Sequence, residues 1–175
     1  MSDRAAPVVT APVSMPPRGY RISSLVLCLC GLATAGYLTY EHYTGSTTLA
    51  CSDTGTVNCL KVTTSTYSEV LGIPVALLGL LFFVAMTVLC SSQGWALSAG
   101  RLPLLGRVRL VASGVGVLSV FYLVWAELFR IDAICLWCTA VHVVTVALFG
   151  ILVFAAATSD ISQPALSHER AGSSS

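Results

Sequence analysis

The chain has 175 residues, 55% of them hydrophobic and only 10% charged, with a formal net charge of +1 and a mean hydropathy of +0.83. A water-soluble domain carries about 25% charged residues, so this composition excludes a surface that faces water all round. The near-neutral charge also gives no electrostatic case for nucleic-acid binding, and no nucleic-acid partner is expected.

Residues 1–20 hold four of the seven prolines and predict a disordered cytoplasmic tail. Beyond it the sequence predicts an all-α integral membrane domain over residues 21–158, a four-transmembrane-helix bundle. Apolar runs imply helices because backbone polar groups in hydrocarbon must be satisfied within the segment. The expected spans are 22–43, 71–91, 108–130 and 134–157, each near the ~20 residues needed to cross. The first run also contains Ala33-Thr34-Ala35, which resembles a signal cleavage site, but the apolar stretch continues past it to Tyr40. Tyr37, Tyr40 and Tyr43 suit an interfacial belt, and Gly31, Ala35, Gly79, Gly114 and Gly116 suit close helix contacts.

Between the first two spans lies an outer loop, about residues 44–70, polar at first and able to form a short helix over Cys59 to Tyr67. Arg4, Arg18 and Arg21 precede the first span, and Arg101, Arg107 and Arg109 mark the second connection. The first connection has only Lys61, and the third is a few residues with Arg130 at its edge. The positive-inside rule then predicts both termini in the cytoplasm and the cysteine loop outside, in a multi-pass protein of the plasma membrane. Residues 159–175 predict a second disordered cytoplasmic tail.

Seven cysteines divide by this topology. Cys28, Cys30 and Cys90 fall inside spans and read as small hydrophobes. Cys51, Cys59, Cys135 and Cys138 face the compartment where disulfides persist. Cys51 and Cys59 enclose a short polar segment and read either as a static loop staple or as a mobile shuttle. Cys135-Leu136-Trp137-Cys138 opens the last span, and at i and i+3 its two sulfurs share one helix face. Asp132 is the expected N-cap, which places Cys135 in the first turn, where the dipole favours thiolate and Asp132 opposes it. Zinc is a competing reading, but no metal is expected, because no structural domain is there for it to hold. Haem attachment fails because Thr139, not histidine, follows the second cysteine.

His142 lies on the same face about one turn deeper, as a packing residue or as a group that hydrogen-bonds or protonates a quinone. Glu127 and Arg130 predict an interfacial ion pair, with proton handling by Glu127 as the lesser reading. His42 beside Glu41 reads as interfacial.

The pattern resembles the vitamin K epoxide reductase family, in particular its bacterial members. The resemblance rests on Cys51-x7-Cys59, Ser65 six residues later, Gly72-Ile73-Pro74-Val75-Ala76-Leu77-Leu78-Gly79 and Cys135-Leu136-Trp137-Cys138, and spans about Leu25 to Phe154. The other bacterial quinone-coupled disulfide-forming family carries its C-x-x-C in the first outer loop, an order not seen here.

The resemblance implies a bundle around a quinone, menaquinone or ubiquinone, capped by the outer loop. It implies that electrons from a separate thioredoxin-fold (DsbA-like) oxidase enter at Cys51, pass through Cys59 to Cys135, and reach the quinone from Cys138. Ser65 would lie near the quinone ring. Animal members have tyrosine where His142 stands, and many bacterial members carry a fused thioredoxin-like domain that nothing after residue 157 here could form.

The implied function is a thiol:quinone oxidoreductase supporting disulfide formation in secreted proteins. Reduction of vitamin K epoxide is a side activity that the sequence leaves open. The alternative is a structural or transport-associated membrane protein with static disulfide staples.

Overall fold

The computed structural model describes residues 15–45, 51, 56–100, 102 and 104–172, with side chains up to 158. Six helices, a two-strand hairpin and one π-helical turn make up the described chain: α1 Arg18–Thr44, α2 Cys59–Thr63, β1 Glu69–Val70, β2 Ile73–Pro74, α3 Val75–Cys90, α4 Ser92–Ala99, α5 Leu104–Ala126, the π turn Glu127–Ile131, and α6 Leu136–Gly172. A 3-10 turn, Thr66–Ser68, joins α2 to the hairpin.

α1 buries Ser24, Cys28, Gly31, Ala35, Leu38 and Thr39, a three-and-four spacing that lines one stripe. That stripe packs on α3 and α6. A Cβ at Gly31 would run into the Phe83 ring, so the glycine is what lets Phe83 reach the centre of the bundle. Phe83, Met86, Cys28, Cys90 and Leu148 form the fully buried middle. The helix ends on Gly45 at φ 59°, a left-handed closure that glycine adopts without strain.

The second expected span begins later and bends. Leu71 and Gly72, both at positive φ, make the two-residue turn of the β1–β2 hairpin, pairing Glu69 with Pro74 and Val70 with Ile73. Proline is tolerated just before a helix and not within one, so α3 starts at Val75 rather than 71. At Ser91 the chain turns by 61° into α4. Ser91 Oγ accepts from Gly94 N at 3.1 Å, and any Cβ on Gly94 would strike the Val88 and Leu89 carbonyls. Arg109 of α5 clamps this corner. Its Nε and Nη2 donate to Leu89 O at 3.1 and 2.7 Å, and its guanidinium lies 3.5 Å from the Trp95 ring centroid. Arg109, expected beside the second connection, is therefore buried, and it satisfies a carbonyl left over at the end of α3.

Three helices are long and apolar enough to cross a membrane, Arg18–Thr44, Leu104–Ile131 and Leu136–Thr158, and α3 with α4 makes a fourth if the bent pair is one span. Only 17% of the most apolar window of Leu104–Ile131 is buried, so most of its hydrophobic surface points outward. Val108, Val111, Phe121, Trp125, Leu128 and Phe129 are all exposed there. Such a surface fits lipid, not water. The hydroxyls inside the helices turn back on their own backbone: Thr39 donates to Ala35 O at 2.7 Å, Thr87 to Phe83 O at 2.7 Å and Thr145 to Val141 O at 2.8 Å.

The tails stand differently. Residues 1–14 of the expected N-terminal tail lie outside the described residues. Where a disordered tail was expected from 159, the backbone stays helical to Gly172.

Candidate functional site

The short connection before α6 and the cysteine loop are stitched together by backbone. Val57 and Ile134 form a parallel bridge, with Asn58 N donating to Ile134 O at 3.1 Å and Ile134 N to Thr56 O at 2.9 Å. Asn58 then caps α2, its Oδ1 accepting from Lys61 N at 2.8 Å. This places Cys59, first residue of α2, against the connection that carries Cys135. Both sulfur residues are 0% exposed and share one cluster with Val62, Ile131 and Ala133, on which Cys51, Tyr67, Trp137 and Cys138 pack.

Cys51 and Cys59 are joined as a disulfide, whereas Cys135 and Cys138 are free thiols. Cys138 N donates to Cys135 Sγ at 3.3 Å, and Cys135 O accepts from both the amide and the hydroxyl of Thr139. The Cys135 thiol is held below its ordinary range, first by the hydrogen bond from the Cys138 thiol and then by the amides of Cys138 and Trp137. Burial and the Glu127 carboxyl oppose that shift. Trp137 fixes the motif to α1 through Tyr37, with ring centroids 4.9 Å apart.

Asp132 is not the N-cap of α6. It sits at φ 52° and closes the π turn, its amide donating to Glu127 O, and α6 begins only at Leu136. Cys135 thus stands just ahead of the helix, with the first-turn amides in front of it. The expected Glu127–Arg130 pair does not form either. A π turn winds more residues per turn than an α-helix, so side chains three apart diverge. Arg130 Nε instead donates to the Tyr67 hydroxyl at 2.7 Å, while Glu127 is buried. His42 lies 4.0 Å from Glu69, tying the end of α1 to β1.

Beneath the cap is a cavity of about 700 Å³, walled by α1, α3, α5 and α6 and roofed by Val62 to Val70. Its surface is mostly apolar, from residues such as Ala35, Val75, Phe82, Val115 and Leu123. The polar groups on it include Ser65, Tyr67, Glu127, Cys138 and His142. Ser65 spends its own proton on Val62 O at 2.8 Å, which leaves its oxygen as an acceptor. His142 is buried, one turn along α6 from Cys138. Cys51, Cys59 and Cys135 are absent from the wall, so Cys138 is the cysteine that reaches the cavity.

Tyr67 was missed from sequence. A tyrosine among threonines and serines in a loop carries no periodic signal, and only its partner Arg130, 63 residues away, gives it a role.

The helices and sulfur pairs define the class: an apolar helical protein of membrane type, with a disulfide and a free C-x-x-C pair packed above a half-open cavity. The model of the Vitamin K epoxide reductase family matches residues 22–153, three quarters of the chain, and the protein belongs to that family. This membership marks it as a redox enzyme of a family that generally uses quinone. No curated protein matches the chain.

Proposed function

We propose that this protein is a membrane thiol:quinone oxidoreductase that supports disulfide formation in secreted proteins. The carrying observation is that two cysteine pairs meet in one buried cluster, and a single member, Cys138, opens into an apolar cavity. About 700 Å³ is within the range of small-molecule sites, and an apolar wall with few polar groups suits a lipid-soluble ring. Ser65 and His142 would hold the quinone, whose chemistry is to take up two electrons and two protons.

The relay follows from exchange at sulfur. A reduced thioredoxin-fold partner, a separate protein, attacks the Cys51–Cys59 disulfide at Cys51 and leaves the loop as a dithiol. Cys59 thiolate then attacks Cys135 of an oxidised Cys135–Cys138 pair, breaking that bond and freeing Cys138. Cys51 closes on Cys59 and releases the pair as a dithiol. Two electrons have moved inward, and Cys138 is the sulfur that faces the cavity. The arrangement seen, loop bonded and inner pair free, is the one that follows this exchange. We assign α3 and α4 together to one bent span. With the basic residues inside, this gives four spans, cytoplasmic termini and an outward-facing cysteine cap.

The test is quinol formation by the purified protein with a small dithiol donor. Cys138→Ser is expected to abolish it, and Cys51→Ser to block only electrons arriving from a protein partner. Folded wild-type protein that turns over no quinone would discard this assignment in favour of static staples.

A further inference from the structure

Glu127 is 6% exposed and is the first residue of the π turn that ends the α5 segment. Its carboxyl accepts the backbone N–H of Cys135, and it also lines the cavity with Cys138 and His142. It lacks a salt partner: the ion pair found among the described residues joins His42 to Glu69. An ionisable group within a membrane span is expensive and marks a site by default. π turns, too, recur where function needs a displaced side chain. Cys135, by contrast, is 0% exposed and has no place on the cavity wall. Cys135 is sealed from solvent, and Glu127 is the group that touches it on one side and the cavity on the other.

We infer that Glu127 is the proton carrier of Cys135, taking the thiol proton toward the cavity when the Cys135–Cys138 bond forms and returning one when that bond is reduced. This deepens the oxidoreductase reading and rests on it for the identity of the acceptor. The balance closes. Forming the S–S bond removes two S–H protons and two electrons; the electron pair goes to the quinone-class acceptor, which needs two protons to become quinol. Cys138 lies on the cavity and can give its proton there directly. The proton of Cys135 passes through the Glu127 carboxylate, which ends unprotonated as it began.

Glu127→Gln separates this role from a structural one, because the amide oxygen can still accept the Cys135 N–H but cannot carry a proton. The reduced full-length protein in detergent would be mixed with a small disulfide, without quinone. Oxidation of the Cys135/Cys138 pair would be followed by alkylation and mass spectrometry across pH. Glu127→Gln is expected to slow oxidation about 100-fold near neutral pH. The deficit should close as pH rises, because Cys135 has then already lost its proton before the disulfide is added and needs no carrier, with Glu127→Asp recovering part of the rate and the melting temperature unmoved. A rate equal to wild type overturns the proposal, as does a deficit of the same size at every pH. Quinol formation is scored separately. A wild type that makes no quinol while keeping this pH pattern removes the quinone assignment and leaves the proton role standing.

Discussion

Cys135 and Cys138 are the same residue type three positions apart, yet the fold gives them opposite surroundings. Cys135 is sealed under the cap and collects donors; Cys138 opens on the cavity. The main donor to Cys135 is the Cys138 thiol, so Cys138→Ala is expected to raise the Cys135 pKa. The sign follows from losing a hydrogen bond to the charged form, and ultraviolet thiolate absorbance would read it as a titration moved to higher pH. An unmoved or lowered midpoint would contradict the hydrogen-bond assignment. Part of this scale was legible beforehand. The C-x-x-C spacing marked the two sulfurs as a unit, though Cys135 stands ahead of the helix rather than in its first turn, and His142, read from sequence as a packing residue or a quinone contact, lies on the cavity wall. Glu127 was misread because an i, i+3 acid–base pair predicts contact only on an α-helix, and nothing in Glu127-Leu128-Phe129-Arg130 announces a π turn.

Among elements, the contact of α1 with α3 is set by one missing side chain. Gly31→Val would force its methyls into the Phe83 ring and is expected to cost about 1–3 kcal/mol. Thermal unfolding in detergent would show it as a lowered midpoint, and Phe83→Leu in the same chain should recover part of the loss. The α3–α4 corner depends on Arg109 in a comparable way. Arg109→Met keeps most of the apolar stem but strips Leu89 O of both donors, at an expected cost of about 1–3 kcal/mol. Hydropathy made the long runs visible. It could not show the corner, because Val75 to Ala99 is apolar through most of its length, and the bend rests on Gly94 and on an arginine from another helix. The tight turn at Leu71-Gly72 was hidden for the same reason: Leu71, 98% exposed, reads as part of a span until its backbone is seen.

For the whole molecule, outward apolar surface and inward polar groups make a body whose natural solvent is lipid. Its tryptophans report this. Trp125 is exposed on α5, whereas Trp95 is buried under Arg109. In bilayers of brominated lipid, a variant retaining only Trp125 should be strongly quenched and one retaining only Trp95 much less. Equal quenching would contradict the described packing.

The complete burial of Cys59 and Cys135 has a consequence for selectivity. Any small dissolved thiol is a potential reductant, and thermodynamics alone does not stop it from discharging an internal disulfide. Access does. In the proposed relay the two middle sulfurs behave like the insulated length of a conductor, live but out of reach, with contacts only at its ends. Fidelity then comes from a kinetic barrier set by packing, and potentials need only run downhill from one end to the other.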